Sequence, residues 1–373
     1  MIKSRIPLRK FVKEYSVRNK LNEDIPVYSV TNSQGFCTEY FSKEVASQDK
    51  TTYKIVPRGY FAYNPSRINV GSVDWQKYED RVIVSPLYNV FSVSDEIDCQ
   101  YLYYFFRSNI GRQMIKAKSS GSVRDNLKIE MLKEMTIPDI SMREQQFCSS
   151  VLDKLQILIK LKFDEIKQMD ELVKARFVEM FGEEKNKVKM VDICSIITDG
   201  THESPKFVNE GIPFIFVSNI SDNKIMYDAD KYIDKATYDV LIKRTPIEIG
   251  DIILSTVGSY GHPAVVKSDK KFLFQRHIAY LKPKREMVNS EYLHTMIMMD
   301  YVQHQINLEV KGIAQKTLNL SAIKSLDVLM PSLSQQNEFA FFKNQVDKSK
   351  AVIEKSLKEL ETLQASLMQK YFS

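Results

Sequence analysis

Three stretches of this sequence concentrate side chains suited to donating hydrogen bonds rather than to breaking bonds. Asn64-Pro65-Ser66-Arg67-Ile68-Asn69-Val70-Gly71-Ser72 sets Arg, Asn and Ser beside a glycine. That combination reaches phosphates through the cation and base edges through the amide and guanidinium, although an ordinary hairpin connection has the same composition. Thr198-Asp199-Gly200-Thr201-His202-Glu203-Ser204-Pro205-Lys206 is dense in small polar donors, with one His and one Lys. Ser255-Thr256-Val257-Gly258-Ser259-Tyr260-Gly261-His262 is glycine-rich, which lets backbone approach a ligand closely.

Bond-making chemistry is harder to find. Gly312-Ile313-Ala314-Gln315-Lys316-Thr317 lacks the glycine before lysine that a phosphate cradle needs. No GxGxxG follows a strand, and neither GxSxG nor HExxH occurs. Asn64-Pro65-Ser66 lacks the second proline and the aromatic of an NPPY-type methyltransferase motif, and no PD…(D/E)xK nuclease cluster stands out. His202, His262 and His277 are too dispersed for a metal site, and the four cysteines (Cys37, Cys99, Cys148, Cys194) show no CxxC spacing. The expectation is a recognition protein with no catalytic residues, no metal and no cofactor in this chain. Tyr101, Tyr103, Tyr104, Phe105 and Phe106 could stack on bases, but packing into a core is the better reading of such a helix.

The charge of +6 on 373 residues is modest. It gathers in residues 1–140, with 21 Lys+Arg against 16 Asp+Glu, while residues 186–331 carry 18 against 17. A positive first domain permits contact with nucleic acid. The chain opens without an apolar segment, and no run of 18 apolar residues occurs. A reduced, cytoplasmic protein with no membrane partner is expected.

Two long helices must position the polar stretches. Residues 153–181 contain no Pro or Gly, and Leu152, Leu155, Ile159, Ile166, Met169 and Val173 recur at the 3,4 spacing of a coiled-coil seam, with Lys162 and Arg176 interrupting. Val346, Ile353, Leu357, Leu360, Leu367 and Tyr371 repeat it, interrupted by Lys350 and Gln364. The repetition extends upstream. Phe181 and Phe372, Tyr101 and Tyr292, and Gly121 and Gly312 are all 191 residues apart. Pro138 and Pro331 are 193 apart, which suggests a two-residue slip just before the helix. Ile25-Pro26 and Ile212-Pro213 stand 187 apart. So long a period means a duplicated domain plus helix rather than a solenoid. Each domain reads as mixed α/β (α+β). Strands are expected in 25–31, 55–63 and 81–93, then 212–217, 247–256, 264–266 and 272–274, with helices over 101–118 and 292–305. Domains are expected at 1–140 and 186–331, and spacer helices at 141–185 and 332–373.

Over essentially its full length the chain resembles the specificity subunit of type I restriction-modification enzymes. The resemblance rests on the duplicated plan and on Ile137-Pro138…Arg143-Glu144-Gln145 and Met330-Pro331-Ser332-Leu333-Ser334-Gln335-Gln336 with the helices that follow. It also rests on Asp199-Gly200-Thr201-His202-Glu203-Ser204-Pro205-Lys206 leading to Gly211-Ile212-Pro213. The first copy lacks the Gly-Thr-His phrase. The resemblance implies two target-recognition domains, each reading half of a split double-stranded DNA site. It implies that the two helices pack as an antiparallel coiled coil that spaces the half-sites. Methyltransferase subunits, in two copies, would dock on the helices, and motor/endonuclease subunits would join. S-adenosylmethionine, ATP and Mg would belong to those partners. Candidate DNA contacts are Arg58, Arg67, Asn69, Lys116 and Arg124 in the first domain, and Thr201, His202, Lys206, Ser259, Arg276 and Lys311 in the second. Candidate positions on the partner-binding helices are Leu155, Ile159, Ile166, Met169, Val173, Ile353, Leu357, Leu360 and Leu367. Two alternatives stay open: a recognition subunit of another restriction class, and a coiled-coil scaffold that reads no DNA.

Overall fold

A computed structural model describes residues 4–38, 49–119, 126–310, 312 and 316–373. The chain divides into two units, Met1–Asp164 with Glu354–Ser373, and Glu165–Ile353.

In the first unit, strands β1 (Arg5–Pro7), β2 (Val12–Tyr15), β3 (Ser29–Thr31), β4 (Gly35–Cys37), β5 (Lys54–Pro57), β6 (Phe61–Tyr63), β7 (Val73–Trp75), β8 (Arg81–Val84) and β9 (Asn89–Val93) come first. Helices α1 (Cys99–Arg107), α2 (Asn109–Ser119) and α3 (Ile129–Lys133) and strand β10 (Thr136–Pro138) follow, with the part of helix α4 (Met142–Phe181) up to Asp164. The central sheet is antiparallel with order β2-β9-β6-β7, beside the pairs β3-β4, β5-β8 and β1-β10. Its middle strands are covered on both faces. Phe61, Tyr63 and Phe91 join the core with α1, while Ala62 and Val90 join Val56, Val82 and Val84 on the other side. Such strands read as unbroken apolar runs because neither face meets water.

The helix expected over 101–118 is two helices. Ser108 between them is extended, and its Oγ accepts from Gly111 N at 3.0 Å, capping α2. A Cβ on Gly111 would lie 2.0 Å from the Phe105 carbonyl oxygen, so the break needs glycine there. Tyr101, Tyr104, Phe105 and Phe106 are buried core residues. Likewise the strand expected over 55–63 is β5 and β6, parted by a turn at Gly59 (φ +85°).

The second unit runs β11 (Lys187–Lys189), α5 (Met190–Ile193), β12 (Cys194–Asp199), β13 (Ile212–Ile215), β14 (Ile220–Ser221), β15 (Lys224–Ile225), β16 (Tyr232–Ile233), α6 (Lys235–Leu241), β17 (Ile252–Ser255), β18 (Pro263–Val265), β19 (Leu273–Phe274) and β20 (Ile278–Pro283). It closes with α7 (Ser290–Met298), α8 (Asp300–Glu309), α9 (Leu320–Ser325), β21 (Asp327–Leu329) and the part of α10 (Leu333–Phe372) up to Ile353. Its antiparallel sheet, β12-β20-β17-β18, repeats the order of the first, and β11-β21 repeats β1-β10. The copies differ outside that frame, where β13 pairs in parallel with β19.

The offset of 191 holds through the entry to both long helices. Strand β10 answers β21, and the capping boxes answer each other. Ser141 N donates to Glu144 Oε2 at 2.9 Å, and Ser332 N donates to Gln335 Oε1 at 3.1 Å. Gln145 and Gln336 play one role. The Oε1 of each accepts the backbone N–H ahead of the first sheet-packed helix, Asp98 at 2.8 Å and Asn289 at 2.9 Å. The slip inferred from Pro138 and Pro331 is therefore wrong. Pro138 ends a strand and Pro331 precedes a cap, two places that each tolerate proline for lack of a required N–H.

Helices α4 and α10 are 40 residues each, about 60 Å long. Within each unit they pack antiparallel. In the first, Leu155 and Ile159 are buried with Leu357, Leu360 and Leu367 are half-buried, and Gln364 Nε2 donates to Gln156 Oε1 at 3.0 Å. In the second, Ile166, Met169, Val173 and Ile353 are half-buried. There Lys350 reaches Asp170 at 2.6 Å and Arg176 reaches Glu338 at 3.2 Å. These polar interruptions of the seam are thus cross-helix pairs. The helix ends enter the cores: Phe372 packs on Tyr101 and Phe105, and Phe181 on Phe177, Tyr292 and Phe339.

A charged group beside this second core sets a pH dependence. Glu291 meets Lys343 and Lys267, each at 2.8 Å, and Lys343 also meets Asp347 at 2.6 Å. Burial opposes ionisation of Glu291, but the two lysines override it and hold its carboxyl down at about 2. Burial, with the Lys343 charge adding, pushes His294 down to about 4. A histidine depressed by folding contributes fully above its ordinary 6.5, and that contribution declines as pH falls toward 4. Glu291 starts to lose its contribution only below 4.5. Lowering the pH from 7 to 5 should therefore cost the parent about 2 kcal/mol more than it costs His294→Leu, read from urea unfolding of both proteins at both pH values.

Candidate nucleic-acid interface

The β6–β7 hairpin carries residues 64–72, and the β17–β18 hairpin carries residues 256–262. These are the same loop in the two copies. Asn64 N donates to Ser72 O at 3.1 Å, and Ser255 N to His262 O at 3.1 Å. Leu127 N closes on Pro65 O at 3.1 Å, and Leu318 N on Thr256 O at 2.8 Å. Two stretches chosen for different side-chain chemistry thus occupy one structural position.

In the first unit, Arg67 is exposed at the start of the 3-10 turn Ile68–Val70, and Gly71 ends the turn at φ +101°. Arg67, Asn64 and Ser72 line a pocket of about 190 Å³ with Thr31, Asn32 and Tyr88. Asn69 Oδ1 is buried with no partner among the described residues. Arginines that the sequence reading passed over stand beside it. Arg107 Nη2 donates to Asn32 O at 2.5 Å while its Nη1 has no hydrogen-bond partner among the described residues, and Arg112 Nη2 lies 3.7 Å from where a Gly71 Cβ would sit. Lys116 is exposed one turn after Arg112 on α2. The i, i+4 spacing of Arg112 and Lys116 was the available signal. Arg58 is elsewhere. It lies ahead of β6, at the far end of that strand from the loop, and donates to Tyr78 O at 3.1 Å and Glu79 O at 3.2 Å. Its donors hold a turn. Arg124 lies outside the described residues.

In the second unit, backbone bonds knit three loops into one edge. Thr201 N donates to Phe274 O, Arg276 N to Thr201 O and Thr256 N to His277 O, each at 3.0 Å, and Val257 bridges Thr317. Thr201, His202, Ser259 and Arg276 are thereby brought together, and Lys206 is exposed on the continuing loop. Lys311 lies outside the described residues. A Cβ on Gly200 would meet Phe274 O at 2.2 Å and Gln275 O at 2.5 Å, which explains the glycine. Burial, then the Arg276 charge, lowers the His277 pKa, so this ring is neutral at pH 7. Arg244 was missed. It bonds Asp199 from 45 residues away, a contact that no local pattern announces. Among the described residues no three His, Cys, Asp or Glu are grouped to hold a metal, and no helix is long and apolar enough to cross a membrane.

Known proteins resemble this chain. The chain is 28% identical over 131 residues to the specificity subunit of the type I restriction enzyme EcoBI of Escherichia coli, covering 35% of this chain and 27% of that one. It is 26% identical over 260 residues to the MjaIX specificity subunit of Methanocaldococcus jannaschii, covering 64% and 60%. It thus spans less than two thirds of either relative. Among solved structures, a chain from work on complex assembly and conformational transition of the type I R-M system matches at TM-score 0.61 and 15% identity, over 99% of this chain and 97% of that one. The S subunit of a type I restriction-modification system from M. genitalium matches at TM-score 0.58 and 14% identity, over 99% and 96%. At such identities these likenesses concern the fold. A model described as the type I restriction modification DNA specificity domain matches residues 8–169 and again 182–362, and with both halves accounted for, the chain belongs to that family.

Proposed function

We infer that this chain is the DNA-specificity subunit of a type I restriction-modification complex, non-catalytic itself and working in the cytoplasm. Residues 1–140 and 186–331 are the recognition domains, and 141–185 and 332–373 carry the spacer helices. Each domain reads one half of a split double-stranded target. The observation that carries this reading is the equivalence of the two hairpin loops, each lined by donors and cations. Cations hold phosphates and fix register, while loop side chains read base edges. Arg67→Ala should lose roughly 1–3 kcal/mol of discrimination at one base of its half-site, measured by competition between single-base variants of the target. Undiminished discrimination would remove Arg67 from the reading set.

Two methyltransferase subunits dock on the helices, and motor/endonuclease subunits join them. S-adenosylmethionine, ATP and Mg belong to these partners. The seam side chains Leu155, Ile159 and Leu357 are already buried, so docking falls to side chains the seam leaves out. Leu161 on α4 and Leu363 on α10 in the first unit are 51% and 47% exposed, and Leu172 on α4 and Val352 on α10 in the second are 50% and 70%. Leu161 corresponds to Val352, and Leu172 to Leu363, at the offset of 191. One apolar pair in each unit suits two copies of one partner. Adenine methylation mapping in cells carrying this chain with its candidate methyltransferase tests the reading. A split motif that disappears when this chain is deleted supports it. A continuous motif, or methylation unchanged by deletion, revives the scaffold alternative.

A further inference from the structure

The segment ahead of β17 brings one more cation to the reading edge of the second unit. Arg244 closes the 3-10 turn Ile242–Arg244. Its Nη2 donates to Asp199 Oδ1 and lies 3.5 Å from Thr198 Oγ1. The other oxygen of Asp199 meets His202 Nε2 at 3.0 Å, and that nitrogen is 3.4 Å from Arg244 Nη2. The Asp199 side chain is 16% exposed, against 51% for Arg244 and 54% for His202. A sheltered carboxylate therefore aims two exposed side chains outward. Nη1 and Nε make no hydrogen bond among the described residues, and Nη2, which both guanidinium forks share, has a second N–H beyond the one given to Asp199.

We propose that Arg244 reads a guanine in the half-site of the second unit, with Asp199 as its positioning residue. The proposal rests on the reading of this chain as a DNA-specificity subunit. Charge decides between base and backbone. A phosphate approaching Arg244 also meets the Asp199 carboxylate, which offsets much of the attraction. The major-groove edge of guanine is uncharged and offers two acceptors, O6 and N7, that match a guanidinium fork. Lys206, Arg276 and Lys316 are exposed and have no carboxylate partner among the described residues, so phosphate contacts fall to them. The ion pair also fixes the Arg244 rotamer before DNA arrives, which lowers the ordering cost of a precise contact.

The test uses the full chain in complex with its methyltransferase subunits, a pool of randomised DNA duplexes, and sequencing of the bound fraction. Parent, Arg244→Ala, Arg244→Gln and Asp199→Asn are compared. Guanine preference at one position of one half-site should fall about 5- to 150-fold in both Arg244 variants, with the other half-site selected as before. Asp199→Asn should weaken preference at that same position and at no other. Unaltered selection by the Arg244 variants would overturn the proposal. So would uniform weakening across all sequences with a shallower salt dependence, the mark of a phosphate contact. If the parent complex selects no sequence, the underlying reading falls and takes the proposal with it. Selection at the remaining positions of the same half-site shows that the second unit of each variant has folded.

Discussion

Phe181→Ala should lower the stability of the chain by about 3–5 kcal/mol. Phe181 is 1% exposed, with ring centroids of Phe177, Tyr292 and Phe339 at 5.0, 5.1 and 5.8 Å. Removing the ring leaves a cavity walled by other rings, which close in poorly because they are held on three helices, α4, α7 and α10. Phe372→Ala should act similarly through Tyr101 and Phe105, at 5.0 and 5.9 Å. Phe163, on the same helix but about half exposed, serves as control, and its Ala variant should stay within about 0.5 kcal/mol of the parent. Urea unfolding of the three variants checks this. A Phe181→Ala loss below about 1 kcal/mol would mean that the helix end does not belong to the core.

Gly200→Ala should abolish reading of one half-site while sparing the other. The added Cβ collides with the carbonyl oxygens of Phe274 and Gln275, both main chain, so no side-chain rotation relieves it. The loop must move, and it gives up Gly200 N to Ile278 O (3.2 Å), Thr201 N to Phe274 O and Arg276 N to Thr201 O. Three such bonds are worth about 2–3 kcal/mol. More costly for recognition, Thr201, His202 and Arg276 lose their common footing, and placement errors of about an ångström are enough to defeat a contact set. Methylation mapping should then show one half of the motif intact and the other degenerate.

The parts of this molecule that could be read from sequence are those with a period or a fixed offset. The 3,4 spacing of Leu155, Ile159, Ile166 and Met169 located one seam, and Phe181 with Phe372 located the duplication. Proline misled, because Pro138 and Pro331 punctuate the chain strongly yet mark a strand end in one copy and a cap in the other. The helix break at Ser108 was hidden because Gly111, which permits it, makes a contact visible only in three dimensions. Arg58 was chosen for its charge, but charge does not reveal whether nearby carbonyls already take the donors. The two hairpins share only Val-Gly-Ser (residues 70–72 and 257–259), one being otherwise Arg- and Asn-rich and the other Gly-rich, and their common feature is backbone closure onto Leu127 and Leu318. Only hydrogen bonding makes them one feature. Arg244 lies in a segment with no helical counterpart among the described residues of the first unit, so the duplication could not point to it.

The most direct test of paired reading is methylation mapping with residues 256–262 replaced by a Gly-Ser linker of equal length. The half-site read by the first unit should persist, and the other half should become degenerate at the mapped positions. Loss of both halves together, or retention of both, would contradict the assignment of one hairpin to each half-site.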